Sequence, residues 1–449
     1  MDILALLQCL APCITVTTLR QLQHVITAML TISGRVTMLG LSRWSAKGGS
    51  YRTLQRWYHT VLPWQTLQWR FFQKNLWQPA DEYILAGDEV VVSKAGTETY
   101  GLDRFFSGLQ QQVIPGLAFF TFSLVNVREA QSYPLQATQV VRNAEEKAAH
   151  KAQAAAKKSP PPVEKKKPGR PKGSKNKNKQ EVVLNPELLR IQKALHSLLE
   201  LIGTTLSLKY VVLDGHFGNY PSAFMVRQTQ LHLISKLRAD AALYPAFAGE
   251  HHGPGAKPKY GAKIDVRQMD AQYLKATSTV AQLRTDIYQG QFYNKEFAFA
   301  VNVVIILKTN LTTQAQAHVI LFSTDLELAY DKVIQFYSLR FQIEFNFRDA
   351  KQYWGLEDFM NVKETAVTNA ANLSLFMVNF SAALLQPLRR TQPDYSVLDL
   401  KAQYRGYRYA LEIIKMLPEK PDAILLTNIF ERIARLGAIH PVLPLPAGP

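Results

Sequence analysis

The sequence predicts a mixed α/β protein, and two features of the chain indicate this class. Runs of Val, Phe, Leu and Thr that are typical of strands begin at Tyr83, whereas the first and last parts of the chain have helical periodicity. Hydrophobic residues make up 47% and charged residues 19% of the 449 residues, a balance that suits a folded chain of two or three domains.

Three predicted strands follow one another, and then helices and strands alternate. The predicted strands are Tyr83–Ser93, Leu117–Asn126, Tyr133–Val140, Leu208–Leu213 and His232–Leu237. Between the third and fourth, a helix is capped by Asn185, starts at Pro186 and stops at Gly203. A second helix, from about Pro221 to Thr229, precedes the last strand. The order β-β-β-α-β-α-β is that of a ribonuclease-H-like core.

Other elements are predicted on both sides of this core. In the N-terminal region, Thr17 or Thr18 is expected to cap one helix and Ser50 another, whose basic and aromatic residues suit a DNA-binding helix-turn-helix; a plain helix pair is the alternative. A strong amphipathic pattern predicts one helix from Asp331 to about Trp354. The domains expected are 1–78, helical; 79–141 and 183–238, first parts of the core; 142–182, a disordered basic segment; 239–327, a β-rich insertion; 328–360, the catalytic helix; and 361–449, helical.

The positive charge of the chain is concentrated in one segment. Of the formal net charge of +17, about two thirds comes from Lys147–Lys179, where about twelve Lys and Arg stand against one Glu. The segment is too polar to form a packed core. Its Pro168-Gly169-Arg170-Pro171 resembles an AT-hook core, which predicts that Arg170 enters an A·T minor groove; nonselective phosphate contact is the alternative.

Tyr337, Arg340, Glu344 and Lys351 form one polar stripe on the predicted catalytic helix. At roughly 100° per residue they fall within an arc of about 60°, beside the apolar face of the same helix. A carboxylate flanked by two cations and a phenol suits a phosphodiester site, since the carboxylate can hold a metal ion while the other groups grip phosphates.

This spacing, Y-x2-R-x3-E-x6-K, resembles the signature of DDE transposases of bacterial insertion sequences, in the family-four group that includes hairpin-forming members. The resemblance covers about residues 80–360. It implies a catalytic, metal-binding trio of Asp88 in YILAGDEVVVSKAG, Asp214 in VVLDGHFGNYPS, and Glu344. It also implies phosphate contacts from Tyr337, Arg340, Lys351 and Lys94, and two Mg²⁺ ions, for which Mn²⁺ is expected to substitute.

Two departures from the family pattern are Phe341, where many relatives have Trp, and the basic segment between the two aspartates. Other polar residues near the motifs are interpreted as structural or solvated: Glu89, on the opposite strand face from Asp88, and Asp349, off the stripe. The pair His251-His252 is interpreted as part of a loop, whereas His216 is a candidate phosphate contact.

The function expected is metal-dependent DNA cleavage at element ends followed by strand transfer into target DNA. The alternatives are a transposase-derived DNA-binding protein without activity, and a nuclease of the same fold without strand transfer. The partners expected are terminal inverted repeats, target DNA and a second copy of the chain, in the bacterial cytoplasm at the nucleoid. Cys9 and Cys13 indicate neither zinc nor a disulfide framework, and the apolar stretch Ala366–Leu385 is interpreted as a core helix.

Overall fold

A computed structural model of the chain describes residues 3–45, 49–108, 110–148, 152, 182–253 and 255–440. The helices are α1 (Ile3–Leu7), α2 (Val16–Thr31), α3 (Met38–Trp44), α4 (Tyr51–Tyr58), α5 (Trp64–Asn75), α6 (Pro186–Ile202), α7 (Tyr220–Arg227), α8 (Tyr330–Leu339), α9 (Gln342–Trp354), α10 (Glu364–Arg389), α11 (Val397–Met416) and α12 (Ala423–Ala434). The strands are β1 (Tyr83–Ser93), β2 (Asp103–Ser107), β3 (Gln112–Asn126), β4 (Gln131–Gln139), β5 (Tyr210–Leu213), β6 (His232–Leu237), β7 (Leu243–Tyr244), β8 (Leu274–Val280), β9 (Leu283–Asn294), β10 (Val301–Asn310) and β11 (Gln316–Ser323).

The core sheet has the strand order β4-β3-β1-β5-β6. β1 pairs antiparallel with β3 and parallel with β5, and β5 pairs parallel with β6. The predicted mixed α/β class with a ribonuclease-H-like core is confirmed. The sequence analysis missed β2, a five-residue strand that pairs with the first five residues of β3.

Local capping chemistry places most helix starts where the sequence predicts them. Asn185 caps α6 by accepting from the Leu188 amide at 2.8 Å, and Ser50 caps α4. The cap of α2 is Thr15 rather than Thr17 or Thr18, because Thr15 provides the extended backbone and the oxygen that accepts from Thr18. These helices therefore begin at oxygen-bearing residues that satisfy free amides.

The long helix α10 lies at the centre of the protein and joins the N-terminal helices to the sheet. It is long and apolar enough to cross a membrane by composition, but most of it is buried inside the protein, as expected for a core helix. Asn369 on α10 accepts from the Trp64 indole at 2.7 Å and donates to the carbonyls of Tyr58 and Thr60. Asn379 donates to the Pro134 carbonyl of β4 at 2.6 Å. Its buried polar side chains thus bind main chain on two sides.

The β-rich residues after β6 extend the core sheet. β11 pairs antiparallel with β6, β10 with β11, and β9 with β10, so one sheet runs from the core into this region. The chain then returns to the core through α8 and α9. The part of the fold that carries the predicted site residues is consequently built from strands far apart in sequence and a helix that follows them.

Candidate active site

Two aspartates lie side by side on neighbouring parallel strands. The register of β1 and β5 pairs Gly87 with Leu213, so the next residues, Asp88 and Asp214, are adjacent at the point where β5 ends. Asp214 also begins a short 3-10 turn and accepts from the His216 amide at 3.1 Å. Parallel strands with this register bring the two carboxylates to one edge.

The predicted single helix from Asp331 to Trp354 is interrupted, which corrects the sequence reading. α8 ends at Leu339 and α9 starts at Gln342, so Arg340 and Phe341 lie at a junction. Across it, the amides of Phe341, Ile343 and Glu344 donate to carbonyls three residues earlier. These tighter bonds shift the turn from α-helical to 3-10 geometry.

Arg340 connects two of the predicted catalytic carboxylates. One guanidinium nitrogen lies 2.6 Å from Asp88 Oδ2 and the other lies 3.5 Å from Glu344 Oε1. The Arg340 side chain is 14% exposed and that of Glu344 is 44% exposed, so the bridge runs from a sheltered aspartate to an open glutamate. The remaining Asp88 oxygen accepts from the Glu89 amide at 2.8 Å. The structure thus places Glu344 across Arg340 from Asp88.

The charges of this region act on each other. Burial raises the pKa of Asp88 to about 6, with the carboxylates of Asp214 and Glu344 adding to the effect, although Arg340 and the Glu89 amide oppose it. Burial also raises the pKa of the Tyr337 phenol, which lies beside Arg340. Tyr337, Arg340 and Asp214 line one open cleft of about 390 Å³. The cleft therefore holds the Asp214 carboxylate beside more than one basic side chain.

A second group of acids lies beside Asp88. Desolvation raises the pKa of Glu89 to about 7, and the nearby Glu187 carboxylate adds to this effect. His216 approaches Glu187, with 3.4 Å between Nε2 and Oε2, and this contact raises the pKa of the histidine. The sequence analysis interpreted Glu89 as structural or solvated and did not single out Glu187. Helix α6, which carries Glu187, brings this residue close to Glu89.

The other predicted phosphate-binding residues are held by main-chain carbonyls. Lys351 donates to the Val91 carbonyl at 2.8 Å and pairs with Glu357. Lys94 donates to the carbonyls of Glu357 and Phe359 and lies 3.6 Å from the centre of the Phe359 ring. It lines a different cleft, of about 960 Å³. Arg170 lies outside the described residues.

The donor chemistry of the site suits a divalent cation. Three carboxylates near one edge of the sheet supply the oxygen ligands that Mg²⁺ and Mn²⁺ prefer. In the described ranges, no three His, Cys, Asp or Glu side chains are grouped closely enough to hold a metal ion, and the Arg340 guanidinium bridges Asp88 and Glu344 instead. The three carboxylates are therefore chemically suited to bind a divalent metal ion. In the structure the Arg340 guanidinium neutralises two of them.

Two basic residues of the cleft, Lys236 and Arg238, were not singled out from the sequence. Lys236, on β6, lines the same space as Asp214, Tyr337 and Arg340. An isolated lysine in a strand carries no motif, and its position becomes informative only when the register of β5 and β6 is known. Outside the cleft, His252 pairs with Glu250 on an exposed loop, as expected for a loop residue.

A comparison with protein families gives a match over more than half of the chain. The family model described as DDE superfamily endonuclease matches residues 9–291. The matched span includes Asp88 and Asp214 and ends before Glu344. No curated protein matches the chain significantly.

Proposed function

This chain belongs to the DDE superfamily of endonucleases, and from that premise we propose that it is a transposase that cleaves DNA at element ends and joins them to target DNA. Enzymes of this superfamily act on DNA and use divalent metal ions. The observation that carries the proposal is the juxtaposition of Asp88 and Asp214 on adjacent strands, with Arg340 linking Asp88 to Glu344.

We assign the catalytic roles to Asp88, Asp214 and Glu344. Two bound Mg²⁺ ions, replaceable by Mn²⁺, would supply Lewis-acid activation of the attacking oxygen and neutralise charge on the leaving oxygen of an in-line phosphoryl transfer. The three carboxylates would hold these ions. Arg340 must then release Asp88, and its freed guanidinium is well placed to bind a phosphate beside the reacting one.

Tyr337 and Lys351 are proposed as further phosphate contacts. Tyr337 supports this role by lining the cleft next to Arg340. Lys351 lies two turns beyond Glu344 on α9, and its ammonium is partly satisfied by Val91 and Glu357. Lys94 and Arg170 are weaker members of the set, because Lys94 is engaged by two carbonyls and Arg170 rests on its motif alone. Membership in the Y-R-E-K group remains part of the proposal.

We also propose that two copies of the chain act together on two DNA ends in the bacterial nucleoid. The support for a dimer is the C-terminal helix pair, where Ile413, Met416, Ile424 and Leu425 are exposed apolar residues. Exposed apolar surface of this kind marks association sites. Sedimentation of the wild type and of Ile424→Asp, with and without DNA, tests this; a monomer in the DNA complex would refute it.

The decisive experiment follows DNA carrying the element's ends in gels, with Mg²⁺, Mn²⁺ or EDTA. Wild type is expected to yield metal-dependent cleavage and joined products, and both should disappear in Asp88→Ala and Glu344→Ala while DNA binding stays nearly unchanged. Asp349→Ala, which removes an acid paired with Arg348 outside the cleft, is the matched control. Cleavage without joining would identify a nuclease, and binding without cleavage would identify a DNA-binding derivative.

A further inference from the structure

Lys236 occupies the third place in a row that begins with the two aspartates. The register of β5 and β6 pairs Val212 with Ile234, so two residues further on Asp214 is beside Lys236. The Ser235 hydroxyl donates to the Asp214 carbonyl at 2.6 Å, which ties the two strand ends together. In-register neighbours on parallel strands share a face, so Asp88, Asp214 and Lys236 follow one another across about 10 Å of sheet.

The backbone around Asp214 holds the Lys236 side chain in place. A Cβ added at Gly215 would lie 3.4 Å from Lys236 Cε, so the lysine stem runs across the turn that follows Asp214. A Cβ at Gly218 would collide with the Lys236 carbonyl. The close approach of the turn to β6 therefore depends on these glycines.

The Lys236 ammonium is available for a ligand. Lys236 is exposed, and its side chain forms no ion pair or hydrogen bond with any described residue. Arg340, by contrast, forms ion pairs with Asp88 and Glu344. Lys351 donates to the Val91 carbonyl and pairs with Glu357. Lys236 is thus a cleft cation that lies beside Asp214 but forms no ion pair with any described residue.

The cleft continues past Lys236. Lys236, Leu237 and Arg238 line the cleft that contains Asp214, and they also line a second cleft of about 500 Å³ bounded by His318 and Ile320 of β11. Arg238 is highly exposed, and among the described residues its ion pair is with its near neighbour Asp240. The two clefts adjoin over the end of β6 and carry basic residues along their shared wall.

We infer that Lys236 binds the phosphate next to the reacting one, and that the DNA strand leaves the active site over the end of β6, past Arg238 towards β11. The inference rests on the proposed function for the identity of the strand. A single strand presents a negative charge about every 3.4 Å along a duplex axis, so a cation about 5 Å from Asp214 lies within reach of a neighbouring phosphate. An exposed pair of basic side chains alternating along a strand end suits a backbone track.

The first test measures the salt dependence of DNA binding. A fluorescent short duplex is titrated in EDTA over a series of KCl concentrations with wild type, Lys236→Ala, Lys236→Arg and Lys209→Ala. Lys209 is an exposed lysine at the opposite end of β5 and serves as the matched control. Lys236→Ala is expected to make the negative slope of log K against log salt shallower by about 0.9. Lys236→Arg is expected to restore the wild-type slope. An unchanged slope in Lys236→Ala, or an equal loss in Lys209→Ala, would overturn the inference.

The second test locates the contact. Terminal duplexes of the element carry one neutral methylphosphonate on either side of the cleaved bond. Neutralising the contacted phosphate should weaken wild-type binding by about fivefold and have no further effect in Lys236→Ala. Equal losses in both proteins would refute the assignment. Since both tests measure binding without metal, they can succeed even if wild type fails to cleave, which separates this inference from the proposed function.

Discussion

Asp88, which we propose as a catalytic residue, has a carboxylate whose ionisation lowers the stability of the fold. Its raised pKa of about 6 means that the folded protein holds the proton of this carboxyl more tightly than the unfolded chain does. The stabilising effect of the protonated group is complete below the unfolded pKa of about 4 and is lost as the pH rises through about 6. At neutral pH the ionised carboxylate therefore costs stability.

Asp88→Asn is accordingly expected to be more stable than wild type at pH 8 without metal. The rise of the Asp88 pKa to about 6 sets an upper limit of about 3 kcal/mol on the gain, and the gain should vanish at pH 4. Thermal unfolding followed by circular dichroism at both pH values measures it. A variant less stable than wild type at pH 8 would show that the Arg340 bridge outweighs the burial of the charge.

Lys401 is a second residue whose charge is used inside the protein. Its ammonium is 3.1 Å from the carbonyls of Met29 and Tyr353, in the last turns of α2 and α9, and the residue is 7% exposed. Burial, with Arg405 nearby, lowers its pKa to about 8. A cation here satisfies carbonyls that two helix ends leave free.

Lys401→Ala should destabilise the protein by roughly 2–4 kcal/mol, because it removes both donors and leaves a cavity. Urea unfolding is the measurement, and Lys415→Ala on the exposed end of α11 is the control. Equal midpoints for the two variants would mean that water replaces the ammonium at no cost.

At the scale of elements, the helices and strands with strong local signals were predictable and the junctions were not. Asn185, Pro186 and Gly203 fix α6 because cap and φ requirements are local. The break at Arg340 has no such signal, since neither proline nor glycine marks it and the bonds that tighten it involve ordinary residues. β2 was missed because its five residues are too few to establish the alternating pattern of a strand, although its partner β3 follows it directly in the chain.

The last helices are fastened at one carboxylate. Asp399 accepts from the Ser396 hydroxyl at 2.6 Å and from His440 Nδ1 at 2.8 Å, as well as from the Ile439 amide. Although burial acts in the opposite direction, the hydrogen bonds from Ser396 and His440 hold the pKa of Asp399 well below its usual range. The stability that the ionised Asp399 adds to the fold is present above the unfolded pKa near 4. It is lost as the pH falls through the pKa of the folded state.

Asp399→Ala is therefore expected to loosen α12, which has no buried residue, before it affects the sheet. Limited proteolysis should cut after α11 at least tenfold faster than in wild type, on the basis of about 1.4 kcal/mol or more of lost local stability. Asp394→Ala, on the exposed connection before α11, is the control. Unchanged cleavage would show that α12 is held by its contact with α11 alone.

For the molecule as a whole, most of the net positive charge comes from one segment of the sequence. Deleting Lys151–Lys179 removes eleven Lys and Arg and one Glu, yet keeps the Glu146–Arg190 ion pair. DNA affinity should fall and the salt slope should flatten by several units, while the melting temperature changes by no more than a few degrees. Anisotropy titrations and thermal scans of the deletion variant test this; a preserved slope would place the DNA-binding charge elsewhere.

The sequence also left the relation between core and insertion open. Strand-like runs after β6 predicted a β-rich insertion, but nothing local indicates that β11 pairs with β6, some 80 residues earlier in the chain. Likewise, the motif residues were found without their geometry, and Lys236 was not found because its significance lies in strand register. Pairing over long separations is decided by global packing, which periodicity does not record.

The chain order of this sheet has a consequence for a protein that emerges from the ribosome one residue at a time. Asp88 and Asp214 are made early, but Glu344 follows only after β11 has completed the sheet beside β6. An unfinished chain can therefore contain both aspartates and the basic segment while it still lacks Glu344. The order of synthesis therefore delays the assembly of the proposed site, because its three acids come together only after the strands that support them have been made.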